Sequence, residues 1–270
     1  MRTCTIGGVR IGSGEPARLM GVINGSPESF YSGSYSSAAA VRRVAECQVA
    51  AGAAILDLGA RSTAPGSPPI TAVEEAARMD ALLAELDGGG FVVSVDTSRP
   101  AVLETCLEHD IHMLNDIGGL ADPMLAARAG EAGLAACGMA SFSTPGDACG
   151  VEATLEALAL VATRAEEAGI GHLVLDPGVG LWTPARTVEH DWELCCAFDR
   201  FTDLGHPVLA AISRKTFLGR LTGRGPEDRL AASLAVTKSL LAKGAHLVRT
   251  HDIAETADLL QVHERLEACS

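Results

Sequence analysis

RLMGVINGSPESF occupies residues 18–30. After Arg18 the run is apolar or small until it closes on Asn24, and a Gly-Ser-Pro turn and an acid, Glu28, come next. A short, near-continuous apolar run bounded by turn residues is the pattern of a strand buried on both faces, as parallel strands are. Seven more such runs lie further along the chain: AAILDLG (53–59), FVVSVDT (91–97), HMLNDIG (112–118), LAACGMA (134–140), HLVLDPG (172–178), PVLAAIS (207–213) and HLVRTHD (246–252). Longer Ala-rich amphipathic stretches separate them. Strand then helix, eight times, predicts an α/β chain folded as a (β/α)8 TIM barrel.

Local signals agree. Pro100 sits where a helix begins after Thr97 and Ser98, and Gly52 and Gly244 stand at helix-to-strand turns. Leu230, Leu234, Val236 and Leu241 give the stretch 227–244 a helical stripe. TCTIGGVRIG (3–12) reads as a short N-terminal hairpin around Gly7-Gly8, placed to close the barrel bottom. No linker or composition shift divides residues 1–270, so one domain is expected. The rival fold, a doubly wound open sheet, lacks its G-x-G-x-x-G fingerprint after the first strand.

Composition narrows the function. The chain of 270 residues is 47% hydrophobic but only 4% aromatic, so Ala, Val and Leu must do the packing. A net charge of −13 argues against nucleic acid or an anionic membrane as partner. Eight Cys without a C-x-x-C read as reduced core thiols, Cys195-Cys196 included. The opening MRTCTIGGVRIGSG lacks the apolar core of a signal peptide. No apolar run approaches the ~18 residues of a membrane span. A cytoplasmic location is expected.

In a barrel, chemistry gathers where strands end. The runs end on Asn24, Asp57, Asp96-Thr97, Asn115-Asp116, Asp176, Ser213-Arg214-Lys215 and Arg249 with His251. Buried charges cost several kcal/mol unless partnered, so this repetition calls for a ligand. Asp96, Asn115 and Asp176 suit a flat heterocycle that presents N–H donors, and Lys215 adds a donor. Arg249, His251 and Asn24 come from the last and first strands, neighbours in a closed barrel. Together they suit a phosphate or diphosphate.

These residues carry a resemblance. GVINGSPESF resembles the first-loop motif Asn-Val-Thr-Pro-Asp-Ser-Phe of the dihydropteroate synthase family, within the wider pterin-binding barrels. DLGARSTAPGS resembles its second-loop Glu-Ser-Thr-Arg-Pro-Gly. SVDT, LNDIGG, LDPGVG, ISRKTFLG and VRTHDIAETAD come after these in the family's order, over about residues 18 to 262. The resemblance implies transfer of a dihydropterin-6-ylmethyl group from its diphosphate to an arylamine such as p-aminobenzoate, in folate biosynthesis. It assigns the pterin to Asp96, Asn115, Asp176, Lys215 and Arg249, and the diphosphate to Asn24, Arg249 and His251. Mg2+ would bridge the diphosphate with Asn24 as protein ligand. Ser62, Thr63, Pro65 and Ser213 would meet the acceptor. Lys215, Arg249 and Glu28 would be catalytic, with Glu28 covering the site. A homodimer is the family's common state.

The departures cluster on the acceptor side. Ala64 stands where the family has Arg, Leu181-Trp182-Thr183 replaces Phe-Gly-Lys, and Met139-Ala140-Ser141-Phe142 replaces Met-His-Met. A different acceptor would fit them, such as the ribosylated aminobenzene phosphate of the tetrahydromethanopterin branch, with Arg186 or Arg220 supplying cations. A pterin-dependent corrinoid methyltransferase and a non-catalytic pterin-binding paralogue are the other readings. Arg61, just after the second strand, is either a substitute for the lost loop Arg or an ordinary loop residue, and Trp182 is either a stacking ring for the acceptor or loop filler. His109 and His112 (HDIH) are read as surface histidines on the opposite barrel face. The acid-rich stretch 72–87 is read as a solvated helix face with a Leu stripe.

Overall fold

The computed structural model describes residues 3–26, 38–61 and 69–269. Glu28, Ser62, Thr63, Ala64 and Pro65 lie outside them. A two-stranded antiparallel hairpin, β1 (Thr3–Ile6) and β2 (Val9–Gly12), precedes an eight-stranded parallel sheet. The sheet is β3 (Arg18–Asn24), β4 (Ala53–Gly59), β5 (Val93–Asp96), β6 (Met113–Asp116), β7 (Ala135–Met139), β8 (Leu173–Asp176), β9 (Leu209–Ala210) and β10 (Leu247–Thr250). Its order is β8-β7-β6-β5-β4-β3-β10-β9, and a parallel bridge between Leu175 and Val208 closes it. All eight expected runs are strands, and β9 is the shortest.

Helices cover the outside. They are α1 (Ala38–Ala50), α2 (Ala72–Ala84), α3 (Pro100–Cys106), α4 (Pro123–Glu131), α5 (Val151–Glu167), α6 (Val188–Cys196), α7 (Phe198–Thr202), α8 (Thr216–Thr222), α9 (Leu230–Ala242) and α10 (Ile253–Glu267). Pro100 is the first helical residue of α3. Gly52 (φ 113°) and Gly244 (φ 91°) make the turns back into β4 and β10 with backbone that a Cβ would strain. On α9 the buried face is Ser233, Thr237, Leu240 and Leu241. Of the expected stripe, Leu241 is buried and Val236 packs half-buried against the core, whereas Leu230 and Leu234 are only half-buried and lie outside that face, so the stripe is corrected there. Among the described residues no helix is long and apolar enough to cross a membrane.

Side-chain alternation sorts each strand into two layers. Leu19, Ile23, Leu56, Leu58, Val95, Leu114, Leu175 and Val248 face the helices. Met20, Ile55, Met113, Cys137, Val174, Leu209 and Leu247 face inward and fill the barrel. The hairpin plugs that interior from the end where strands begin: Ile6 and Ile11 are fully buried within the inner layer. Cys4 Sγ donates to Leu173 O at 3.0 Å, at the start of β8. The predicted closure of the barrel bottom is therefore present.

All eight cysteines are free. Cys4, Cys106, Cys137 and Cys195 are core, whereas Cys47, Cys196 and Cys269 are exposed, which narrows the core reading to half the set. His109 and His112 sit below β6, on the barrel face where strands begin. His109 bridges Asp87 (2.8 Å) and Asp80 (3.1 Å), and the Val93 N–H donates to His112 Nδ1 at 3.3 Å.

Candidate active site

Two residues beyond the inner apolar layer, the inward positions turn polar. Ile55 is followed by Asp57, Met113 by Asn115, Val174 by Asp176 and Leu247 by Arg249. Alternation brings these side chains to one cup at the C-terminal face. It also excludes a residue. Asp116 neighbours Asn115 in the chain and must point outward, where it accepts the Gly118 N–H (2.8 Å) and the Leu120 N–H (2.7 Å). Asp116 thus secures a turn in which Leu120 has φ 56°.

Asp57 is the hub. Fully buried, it accepts from Ser94 Oγ (2.7 Å), Asn115 Nδ2 (3.0 Å) and Arg249 Nε (2.6 Å). The other side of the guanidinium, Arg249 Nη2, donates to Asp96 Oδ2 at 3.0 Å. Asp57 therefore orients both the amide and the arginine, a role that its place at a strand end did not reveal. Its signal was available: it lies two residues beyond the inward Ile55, on the cup side of a strand buried on both faces. Burial opposes the charge on Arg249, but Asp57 and Asp96 outweigh it and hold the guanidinium firmly protonated. Burial pushes Asp96 up to about 7, against the pull of Arg249.

Asp176 lies on the next side of the cup, with its Oδ1 accepting the Gly178 N–H at 2.8 Å. Burial raises its pKa, while Lys215 and Arg249 oppose the shift. Lys215 Nζ donates to Val179 O and stands 5.5 Å from the centre of the Trp182 ring. Burial lowers the Lys215 pKa; Asp176 and Asp191 counter it. The indole Nε1 of Trp182 donates to Gly178 O at 2.9 Å, and the Gly180 N–H donates to Asp191 Oδ1 at 2.7 Å. The loop after β8 is thus fixed at three points around the lysine.

Ser213 and Lys215 reach the cup through a strained turn, and His251, just after β10, meets it there. Arg214, between Ser213 and Lys215, has φ 56°, a backbone region that costs a non-glycine residue energy. Its guanidinium is buried and bound: Asp252 lies 2.6 Å away, and Nη1 donates to Pro226 O and Glu227 O. Ser213 Oγ then meets both the His251 N–H (3.3 Å) and His251 Nδ1 (3.1 Å). Burial and the nearby Arg249 hold His251 down at about 4, so at neutral pH it offers a hydrogen bond and no charge. Asn24 sits at the rim, half-buried, its Oδ1 accepting the Ser26 N–H at 2.9 Å.

Of the residues expected to form the site, Asp96, Asn115, Asp176, Lys215, Arg249, Ser213 and His251 are brought together, with Asn24 at the edge. Arg61 is committed elsewhere, to Glu75 at 3.1 Å. Glu75 itself corrects the solvated-face reading of 72–87, because it is fully buried. Arg186 is likewise buried, 3.9 Å from Asp191, and Arg220 is exposed on α8.

A closed barrel whose upper inward positions supply three carboxylates, an amide, an arginine and a lysine defines a ligand-binding (β/α)8 protein of the C-terminal-face kind. More narrowly, the chain belongs to the pterin-binding enzyme family, whose pattern matches residues 20–251. The dihydropteroate synthase of Escherichia coli K12 is 33% identical over 258 residues, covering 91% of this chain and 90% of that one. The crystal structure of the Thermus thermophilus dihydropteroate synthase in complex with 4-aminobenzoate is 34% identical, with a TM-score of 0.82 over 98% of this chain and 100% of that one. A dihydropteroate synthase from Coxiella burnetii in complex with pteroic acid is 27% identical and superposes with a TM-score of 0.87, covering 100% of both chains.

Proposed function

We propose that this chain is a dihydropteroate synthase: it moves the 7,8-dihydropterin-6-ylmethyl group from its diphosphate to p-aminobenzoate and releases diphosphate. The observation that carries the reading is the single cup in which Asp96, Asn115 and Asp176 stand around Lys215 and Arg249. The carboxylates accept the N–H donors of the pterin ring, and Lys215 donates to its ring acceptors. The methylene carbon–oxygen bond breaks, and diphosphate leaves with the electron pair. The amine nitrogen then forms the new carbon–nitrogen bond and gives up a proton to water. A path of this kind needs stabilised charge more than a strong base. Arg249 serves the leaving group with Asn24 and His251.

Among the described residues no group of three or more His, Cys, Asp or Glu could hold a metal. Mg2+ would be carried mainly by the diphosphate and water, with the Asn24 carbonyl oxygen as its hard protein ligand. When bound, Mg2+ neutralises charge on the leaving diphosphate. The simple arylamine is favoured over a phosphorylated one because Arg186 is enclosed against Asp191 and Arg220 is exposed on α8. A cytoplasmic homodimer completes the proposal, with neither nucleic acid nor membrane as partner, in keeping with the net charge of −13.

The test is diphosphate release from 6-hydroxymethyl-7,8-dihydropterin diphosphate with Mg2+, against a panel of arylamines. Turnover is expected with p-aminobenzoate, and Asp176→Asn should abolish pterin binding because ring donors lose a buried acceptor. Turnover confined to ribosylated aminobenzenes, or none with any amine, overturns the reading.

A further inference from the structure

Two departures from the family motifs meet beside Lys215. The loop after β8 carries Leu181-Trp182-Thr183, and the loop after β7 runs from Ala140-Ser141-Phe142 on to Gly146. The β7 loop is firmly built. Asp147 accepts the N–H groups of Phe142 (2.8 Å), Ser143 (2.8 Å) and Thr144 (2.9 Å), which closes a tight turn. Arg164 of α5 donates to Ser141 O at 3.0 Å and to Gly119 O at 2.9 Å. The turn presents Gly146 to the indole. A Cβ at position 146 would overlap Trp182 Cβ, and would lie 3.1 Å from its Cγ and 3.3 Å from Thr183 Cγ2. Gly146 also has φ 82°, so this contact needs glycine on two counts.

Trp182 is fixed from its own loop as well. Its Nε1–H donates to Gly178 O at 2.9 Å, and its backbone N–H donates to Gly180 O at 3.0 Å. The half-buried ring is therefore held by two loops at once. Lys215 Nζ stands 5.5 Å from the ring centre, within the reach of attraction between a cation and an aromatic face. That attraction has work to do here. Burial opposes the charge on Lys215; Asp176 on β8 and Asp191 on α6 favour it, while Arg249 on β10 and Arg186 before α6 oppose it. Neither carboxylate hydrogen-bonds the ammonium, whose acceptor among the described residues is Val179 O.

We propose that Trp182 is a positioning residue for Lys215: its indole face, seated on Gly146, holds the ammonium in place as a charged donor to the pterin ring. The proposal rests on the synthase reading for what Lys215 binds, but the contact between indole and ammonium is independent of it. The two altered loops then form one unit, in which the turn after β7 seats the ring that the loop after β8 supplies.

Three variants test the contact. Trp182→Phe keeps an aromatic face, Trp182→Leu removes it, and Gly146→Ala displaces it. The Kd for the pterin diphosphate should rise roughly tenfold in Trp182→Leu and stay within about threefold of wild type in Trp182→Phe, with KM for p-aminobenzoate within about twofold in both. Pterin affinity falls as pH rises and Lys215 loses its proton. Without the ring face the ammonium is less stable, so this alkaline limb should move to lower pH by about one unit in Trp182→Leu, a tenfold change in protonation. Gly146→Ala should move it the same way. The second readout needs no ligand. The chain has two Trp, so in a Trp192→Phe background the indole emission belongs to Trp182. It should change in one step as Lys215 titrates, below the usual lysine value of 10.5, and Lys215→Met should abolish the step. An unmoved limb in Trp182→Leu, or equal damage in Trp182→Phe and Trp182→Leu, overturns the positioning role. A rise confined to KM for p-aminobenzoate makes Trp182 a wall for the acceptor and overturns it too. Emission without a step tied to Lys215 overturns the contact itself. Wild-type protein that turns over no arylamine sinks the synthase reading instead, and the emission titration still decides the contact.

Discussion

Asp96 shows how the cup prepares for a ligand by tolerating an awkward charge. Burial lifts it to about 7 from a usual 3.8, even with Arg249 3.0 Å away. An acid whose folded pKa is raised favours the fold below its unfolded value, and that contribution fades as pH climbs through the folded value. Asp96→Asn, which cannot ionise, should therefore gain stability relative to wild type as pH rises from about 4 to about 7, read by urea unfolding. A relative loss over that interval would mean that the Arg249 contact, and not burial, sets the site. Pterin affinity of the wild type should fall as pH drops below about 7, because protonation removes an acceptor. At this scale the sequence was readable wherever polarity broke a strand's inward line, as at Asn115, Asp176 and Arg249. Where two polar residues stood side by side the strand end alone was ambiguous: Asn115 enters the cup and Asp116 caps a turn, and only the pleat decides which. Glu75 was misread although it shares a helical stripe with Met79 and Leu82, four and seven residues on. The many acids around it drowned that phase signal.

The elements were legible because each type carries its own period, and their ends were blurred because loops borrow from both. PVLAAIS suggested a seven-residue strand, yet β9 is Leu209–Ala210. Its partners diverge there: Leu209 and Ala210 pair with β10, whereas Val208 bridges to β8. Past Ile212 the chain becomes the Ser213–Lys215 turn. The loop after β8 departs most from the family motif, and α6 anchors it. Asp191 on α6 takes the Gly180 N–H and faces Arg186 at 3.9 Å, both side chains fully enclosed. Removing one partner of such a pair strands the other charge, at a cost of about 3–5 kcal/mol. Asp191→Ala should thus lower stability by roughly that amount and blunt kcat, since Gly180 and Val179 flank Lys215. Adding Arg186→Met should restore part of the stability, because the stranded charge is gone, but little of the activity, because the Gly180 N–H still lacks its acceptor. Additive losses in the double variant, measured by thermal unfolding, would show that Arg186 and Asp191 are not a pair.

Across the whole molecule the two ends of the barrel divide the labour. One layer of Met20, Ile55, Met113, Val174, Leu209 and Leu247 separates the polar cup from the hairpin plug. With only 4% aromatic residues, the chain fills this interior with branched and flexible aliphatics, which is why the plug must contribute Ile6 and Ile11 to complete it. Neither plug residue shares a hydrogen-bonded network with the cup, so damage at the bottom should reach the top only through global unfolding. Ile11→Ala removes a fully buried side chain and leaves a cavity that the closed barrel cannot collapse. The expected cost is about 2–5 kcal/mol, read from the urea midpoint, with KM for both substrates and kcat of the folded fraction unchanged. A change in KM would contradict the separation, because it would require the inner layer to transmit a shift from β1 and β2 to Asp57 and Arg249. Equal stability would show that the hairpin only rests against the barrel. The Cys4 Sγ to Leu173 O contact and the complete burial of Ile6 and Ile11 argue that it seals the barrel.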